Sequence, residues 1–118
     1  MRKILIVEDN EMNRDMLSRR LAGHGYATCL ASDGASGVAA ARDEMPDVIL
    51  MDIALGEMDG WEAVEIIKAD PATAHIPIIA LTAHTSEKDR AVSIALGCID
   101  HHTKPIDMRS LLSKIEAV

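Results

Sequence analysis

The sequence predicts an α/β domain in which helices cover both faces of a parallel sheet. Short apolar runs alternate with segments of helical periodicity, and this βα unit recurs five times along the chain. The central apolar runs also lack the alternation that half-exposed strands show. Strands joined through helices must be parallel, and such a sheet is buried on both faces. We therefore expect a doubly wound, five-stranded sheet in the order 2-1-3-4-5, with five helices.

The first half of the chain alternates strand, helix, strand, helix, strand. The predicted elements are a strand at 3–7 (KILIV), a helix at 10–25, a weaker strand at 26–31 (YATCLA), a helix at 34–45 and a strand at 47–51 (DVILM). The apolar stripe expected on the first helix consists of Met12, Met16, Leu17 and Leu21. Asp33 is placed to cap the second helix, and Pro46 ends it.

The second half continues the same alternation. The predicted elements are a helix at 60–70, a strand at 77–81 (PIIAL), a helix at 86–97, a short polar strand at 99–103 (IDHHT) and a helix at 107–118. Ser86 and Asp107 are candidate caps for the fourth and fifth helices. Gly97 stands where the fourth helix should stop.

Length and charge restrict the classes of protein that the chain can belong to. A length of 118 residues favours one compact domain, which we place at 1–118. The net charge of −7 argues against direct binding of nucleic acid. No apolar run approaches the ~20 residues of a membrane span, and no signal peptide opens the chain. We therefore expect a cytoplasmic protein without a membrane partner.

The two cysteines carry little functional signal. Cys29 falls on one predicted edge strand, and Cys98 leads into the other edge strand. A disulfide between opposite edges of the sheet is not expected, and two cysteines do not make a metal site. Buried free thiols are the interpretation that we favour.

Polar side chains follow four of the five predicted strands. Glu8 and Asp9 follow the first strand and Asp52 the third, while Thr82 follows the fourth and Lys104 the fifth. In open α/β sheets, ligands gather beyond the carboxyl ends of the strands. Taken singly, each residue has an ordinary alternative role as a helix cap, a turn residue, a strand former or a solvated charge. Their joint placement at the carboxyl ends of the strands indicates a functional site.

Three carboxylates packed together repel one another unless a cation is present. Mg²⁺ prefers oxygen ligands, and it typically takes one or two carboxylates plus water molecules. Asp9 and Asp52 are the best candidates for direct ligands. Glu8 would bind directly or through water, and the backbone carbonyl of Ala54 is a candidate to complete the set.

One of these carboxylates can also act as a nucleophile. An aspartate attacks a phosphoryl group to form an acyl phosphate, and Asp52 is the candidate for that role. Lys104 would supply a second cation as a flexible point charge. The hydroxyl of Thr82 would donate a hydrogen bond to a phosphoryl oxygen.

At these residues the sequence resembles the receiver domain of two-component response regulators, over essentially the whole chain. The matching segments, in order, are ILIVEDN (4–10), DVILMDI (47–53), MDG (58–60), IIALTA (78–83) and KP (104–105). The resemblance implies a flavodoxin-like fold with Asp52 as phosphoacceptor and Glu8 and Asp9 as an acidic pair that binds Mg²⁺. It also implies that Thr82 is the switch hydroxyl and Lys104 the cation of the site, followed by a cis bond to Pro105.

The implied function is a signalling switch that promotes its own phosphorylation and dephosphorylation, without being a classical enzyme. Asp52 would take a phosphoryl group from the phosphohistidine of a histidine kinase or a histidine phosphotransfer protein, which docks mainly on the first helix. The face made by the fourth helix, fifth strand and fifth helix would then bind an unknown downstream protein. Dimerisation on phosphorylation is left open. We expect a stand-alone receiver, although a domain excised from a larger kinase or regulator would have the same sequence features.

The sequence departs from the family pattern at a few positions. Gly56 stands where the family usually has Pro, and His101 replaces the switch aromatic, usually Tyr or Phe. Histidine is smaller, polar and titratable, so we expect a weaker or pH-sensitive coupling to the output face. The two positions that tune hydrolysis of the acyl phosphate hold Ala54 and His84, and Ala54 cannot orient a water molecule. We therefore expect a long-lived phosphorylated state.

Three rival classes remain. A phosphatase of the haloacid dehalogenase type needs a second Asp two residues after the nucleophile, where this chain has Ala54. A small flavodoxin needs a phosphate loop rich in hydroxyls and glycine after the first strand, where VEDNEMNRD (7–15) is acidic. A receiver-like domain that binds partners without phosphorylation is the third alternative.

Overall fold

The computed structural model describes residues 2–53, 60–82 and 87–118, except for the side chains of 87–89. Strands and helices alternate strictly along this part of the chain. The elements are β1 (Lys3–Val7), α1 (Glu11–Gly23), β2 (Ala27–Ala31), α2 (Gly34–Glu44), β3 (Val48–Asp52), α3 (Gly60–Ala69), β4 (Ile78–Thr82), α4 (Glu87–Ala95), β5 (Asp100–Thr103) and α5 (Met108–Glu116).

The strands form one parallel sheet in the order β2-β1-β3-β4-β5. The predicted fold class and strand order are therefore confirmed. Every residue of β3 and β4 is buried, as are four of the five residues of β1. Burial on both faces explains why these strands appear in the sequence as unbroken apolar runs.

The core has two layers, one on each side of the sheet. On one side, Leu17 and Leu21 of α1 and Leu111 and Ile115 of α5 pack against alternate residues of the central strands. On the other side, α2 and α3 cover the remaining strand residues, and Trp61 packs partly buried against that layer. The five polar strand-end residues named above lie at the rim of this two-sided core.

Helix caps define where several helices begin. Asn10 caps α1 by accepting a hydrogen bond from the Asn13 amide. The predicted cap at Asp33 is confirmed, and Ser36 completes a reciprocal capping box with it. The predicted cap at Asp107 is also confirmed, since its side chain accepts from the Arg109 amide. Ser86, the cap predicted for the fourth helix, lies outside the described residues.

Two local predictions are corrected by the structure. Met12 is 82% exposed, so it does not belong to the buried stripe of α1, in which Leu17 and Leu21 are fully buried. The fifth strand begins at Asp100 instead of Ile99, whose side chain is exposed. Both residues lie at the end of an element. Each fits the apolar pattern of its element, but no neighbouring element in the described part of the chain covers its side chain at that position.

Cys29 lies on β2 and Cys98 precedes β5, and both are free thiols, as predicted. Cys98 is buried, whereas Cys29 is only partly buried. Among the described helices, none has the length and the apolar character needed to cross a membrane.

Candidate functional site

The register of the sheet aligns the carboxyl ends of the strands along one end of the sheet. Val7 pairs with Met51, Asp52 with Leu81, and Thr82 with Thr103. Asp52 and Thr82, the last residues of their strands, therefore lie beside the residues that follow β1 and β5, and the predicted gathering of polar groups at the carboxyl ends is observed.

Three carboxylates meet at this edge. Glu8, Asp9 and Asp52 each offer an oxygen, and these three oxygens all lie within 4.8 Å of one another. Glu8 is 0% exposed and Asp52 is 2% exposed, whereas Asp9 is exposed to solvent. Two buried acids beside one exposed acid make a concentrated negative charge that opens to solvent on one side.

Lys104 joins the two buried acids. Its Nζ donates to Asp52 Oδ2 at 3.1 Å and to Glu8 Oε1 at 3.2 Å. The Lys104 amide also donates to the carbonyl of Thr82 at 2.7 Å, which fixes the start of the loop against β4. The bond between Lys104 and Pro105 is cis, as the family resemblance implied.

The crowding of charges changes the protonation of this site. Burial is the largest effect on Glu8, and together with the nearby Asp52 carboxylate it raises the pKa of Glu8 to about 7, against the opposing effect of Lys104. Burial lowers the pKa of Lys104, but its contacts with Asp52 and Glu8 outweigh burial, so that the pKa is raised. Lys104 is thus firmly cationic, while Glu8 can gain or lose a proton near neutral pH.

The residues present fit a hard divalent cation. Glu8 Oε2 is buried and has no hydrogen-bond partner among the described residues, which is unusual for a carboxylate oxygen in a protein interior. The donor set consists entirely of carboxylate oxygens, the ligands that Mg²⁺ prefers. The predicted backbone ligand, Ala54, lies outside the described residues.

Thr82 and His101, the two residues predicted to act in switching, occupy neighbouring strands. Thr82 ends β4 and is buried. His101 lies on β5 opposite Ala80, and its side chain is partly buried, with Nδ1 at 3.9 Å from Asp100 Oδ1. His101 is therefore neither a fully exposed surface residue nor a core residue. Gly56 and His84 lie outside the described residues.

Sequence reasoning missed two residues that support the site. A Cβ atom added to Gly60 would overlap the Asp52 carbonyl oxygen and the Cα of Ile53, so α3 begins directly against the backbone of Asp52. The Gly60 amide donates to the Ile53 carbonyl at 3.0 Å. Arg14 Nη1 donates to the Glu8 carbonyl at 2.9 Å. The glycine was visible in the sequence as part of MDG, but its packing was not.

A groove of about 360 Å³ borders the site on the side of α1. Its lining residues come from the position after β1, from α1 and from the loop that precedes α5: Glu8, Asn13, Met16, Arg20, Lys104, Pro105 and Ile106. Because Glu8 and Lys104 both line it, the groove connects the surface of α1 with the cluster of carboxylates.

Comparison with known proteins agrees with this geometry. The family model of the response regulator receiver domain matches residues 4–116. The chain is 39% identical to Protein PilH of Pseudomonas aeruginosa, over 100% of this chain and 98% of PilH. The chemotaxis protein CheY4 of Vibrio cholerae superimposes with a TM-score of 0.95 at 31% identity, over 100% of this chain and 98% of that chain.

A further solved structure contains a metal. The receiver domain of a sensor histidine kinase from Pseudomonas aeruginosa was solved with a magnesium ion coordinated in its active-site cleft. It superimposes with a TM-score of 0.85 at 37% identity, over 97% of this chain and 93% of that chain. Together with the strand-end constellation, these matches show that the chain belongs to the response regulator receiver domain family of two-component signalling.

Proposed function

We propose that Asp52 accepts a phosphoryl group from a phosphohistidine, and that residues 1–118 act as one receiver domain. The observation that carries this proposal is the buried Asp52 carboxylate, which receives a hydrogen bond from Lys104 and lies beside the carboxylates of Glu8 and Asp9. Family membership supports the same role. The donor would be a histidine kinase or a histidine phosphotransfer protein in the cytoplasm.

In the proposed reaction, an Asp52 carboxylate oxygen attacks the phosphorus atom. An O–P bond forms, the P–N bond of the phosphohistidine breaks, and the imidazole leaves with its electron pair. Lys104 holds a positive charge beside the acceptor oxygen, where the phosphoryl oxygens would arrive. Glu8, Asp9 and Asp52 would hold Mg²⁺, which when bound offsets the negative charge of the transferred group. Hydrolysis of the acyl phosphate in the same site would return Asp52 to its free form.

Thr82 and His101 would transmit the change. The phosphoryl group adds about −1.5 to −2 charge and strong acceptor oxygens, which the Thr82 hydroxyl can meet. A shift of Thr82 would alter the packing around His101 on the adjacent strand, because the two strands are hydrogen-bonded in register. The expected output is a population shift of the surface made by α4, β5 and α5, for binding a downstream protein or a second copy of the chain.

The test is phosphorylation with acetyl phosphate followed by intact-mass spectrometry. The native chain should gain one phosphoryl group when MgCl₂ is present and none when EDTA replaces MgCl₂. Asp52→Asn should gain none, and Glu65→Gln, which removes an exposed charge on α3, should behave as the native chain. An unmodified native chain with Mg²⁺ would favour the alternative of a domain that binds partners without phosphorylation. Modification that persists in Asp52→Asn would place the acceptor elsewhere.

A further inference from the structure

The fifth strand contains a buried histidine that the proposed phosphoryl chemistry does not use. His102 is 4% exposed and is the one buried residue among the four of β5. It pairs in register with Leu81, which belongs to the core layer formed with α1 and α5. Histidine at such a position needs hydrogen-bond partners, because a buried polar ring without them is costly.

The partners of His102 come from both ends of α5. Nε2 accepts from the backbone amide of Asp107, the N-cap residue, at 3.3 Å. Nδ1 lies 3.0 Å from Nζ of Lys114 in the last turn, and the same Nζ donates to the carbonyl of His101 at 2.8 Å. One imidazole ring therefore ties the start and the end of α5 to β5.

Both partners of the ring are hydrogen-bond donors. A neutral imidazole has one acceptor nitrogen, so it can accept from a backbone amide or from an ammonium group. An imidazolium has no acceptor at all, and both of its N–H groups would face the donors of Asp107 and Lys114. A neutral ring can therefore accept from one of these two donors at a time, whereas a protonated ring can accept from neither.

The charges around the ring act in both directions. Burial is the largest effect and lowers the pKa of His102, and the positive charge of Lys114 lowers it further. Asp107 on α5 and Asp100 on β5 act in the opposite direction, and His101 adds a small lowering effect. Leu81, the register partner of His102 on β4, is uncharged and belongs to the core layer that also contains Leu111 and Ile115 of α5.

We propose that His102 is an acid-sensitive latch between β5 and α5. Protonation of the ring removes the hydrogen bond that it accepts from the Asp107 amide and places a second positive charge beside Lys114, and α5 loosens from the sheet. The latch acts on one helix of the proposed output face and requires no phosphoryl group, so it does not depend on the proposed function of Asp52. Acidification would thus alter the same surface that phosphorylation is expected to alter.

The test is hydrogen–deuterium exchange of the segment 107–118 between pH 8 and pH 5, corrected for the intrinsic pH dependence of exchange. If opening returns the ring to its ordinary pKa near 6.5, the opening constant of α5 should rise by up to about tenfold for each pH unit below that value. His102→Val should remove this rise. His75→Asn, which removes an exposed histidine from the segment before β4, should keep it.

A second measurement covers the case in which His102→Val does not fold. NMR titration of the native chain follows the ring resonances of His102 directly. The ring should titrate below about 6.5, and the opening of α5 should rise between that value and the pH at which the ring titrates. Protection of α5 that does not change with pH would overturn the latch. A ring that titrates at or above its ordinary value, or a pH-dependent rise that persists in His102→Val, would overturn it equally.

Discussion

Lys104 Nζ lies 3.1 Å from Asp52 Oδ2, although their strands β5 and β3 are separated in the sheet by β4. The lysine side chain reaches over the end of β4 to a carboxylate that is itself buried. The same ammonium group also contacts Glu8, so one cation serves two buried acids. The stability of this end of the sheet should therefore depend on a positive charge beside the carboxylates of Asp52 and Glu8.

Replacement of Lys104 by Gln should destabilise the metal-free protein. Two buried carboxylates would lose their cation, and we expect a loss of about 1–3 kcal/mol, less than for a fully buried pair because the Lys104 side chain is 26% exposed. Urea unfolding in EDTA at pH 8 measures the loss. Saturating MgCl₂ should reduce it, because the bound cation replaces the missing charge.

The matched control for this prediction is Lys3→Gln. Lys3 forms a solvent-exposed ion pair with Glu44, and its removal should cost much less stability than the removal of Lys104, because solvent screens the pair. If both variants lose the same stability, or if MgCl₂ has no effect on the Lys104 variant, the interpretation of Lys104 as the counterion of two buried acids is wrong.

The affinity of the site for Mg²⁺ should increase with pH between 6 and 8. Burial and the neighbouring Asp52 raise the pKa of Glu8 to about 7, and a protonated Glu8 is a poorer partner for a cation. Isothermal titration calorimetry at pH 6, 7 and 8 measures the affinity. Glu8→Gln should remove most of the pH dependence, whereas Glu65→Gln should retain it.

Glu8 should also make the metal-free protein less stable as pH rises, whereas it makes Mg²⁺ binding stronger. Because the folded-state pKa of Glu8 is raised, its contribution is fully present below the unfolded pKa and is lost as pH rises through about 7. The native chain in EDTA should therefore become less stable relative to Glu8→Gln as pH rises from 5 to 8. Parallel stability curves for the two proteins would contradict the raised pKa.

Gly60→Ala should weaken both the fold and phosphorylation. The added methyl group meets the backbone of Asp52 and Ile53, which cannot move aside as a flexible side chain can. Overpacking of this kind costs about 1–3 kcal/mol, and here it displaces the acceptor. Thermal unfolding and the rate of acetyl phosphate modification report the two effects separately.

Gly23→Ala is the control for Gly60→Ala. Both substitutions reduce the backbone entropy of the unfolded chain, but only Gly60→Ala creates a steric clash. A Cβ at Gly23, the last residue of α1, meets no atom within 4 Å. This variant should be unchanged or more stable by up to about 1 kcal/mol. If the two variants have the same thermal stability and the same rate of modification, the close approach of α3 to Asp52 does not restrict the residue at position 60.

His101→Tyr should strengthen the coupling between the site and the output face. The histidine side chain is partly buried, and a larger aromatic ring would gain more packing energy on turning inward. Beryllofluoride with Mg²⁺ mimics the phosphoryl group, and NMR shift changes on β5 and α5 measure the response. We expect a larger response in His101→Tyr and none in Thr82→Ala. An unchanged response in His101→Tyr would remove His101 from the switch.

The sequence by itself determined the class of fold and the membership of the site. Unbroken apolar runs between helical segments specify buried parallel strands, and parallel strands necessarily present their carboxyl ends at one edge. Glu8, Asp52 and Lys104 could therefore be grouped before any distance was known. These inferences succeed because strand burial and strand direction are properties of local pattern and connectivity.

Only the tertiary structure decided the contacts between elements. The shared role of Lys104, the raised pKa of Glu8 and the close approach of Gly60 depend on contacts within a few ångströms between different elements of the fold. The burial of His102 under α5 depends on which face of a short polar strand the last helix covers. Periodicity predicts that a surface will be covered, but the atoms that meet there are set by how the helices pack on the sheet.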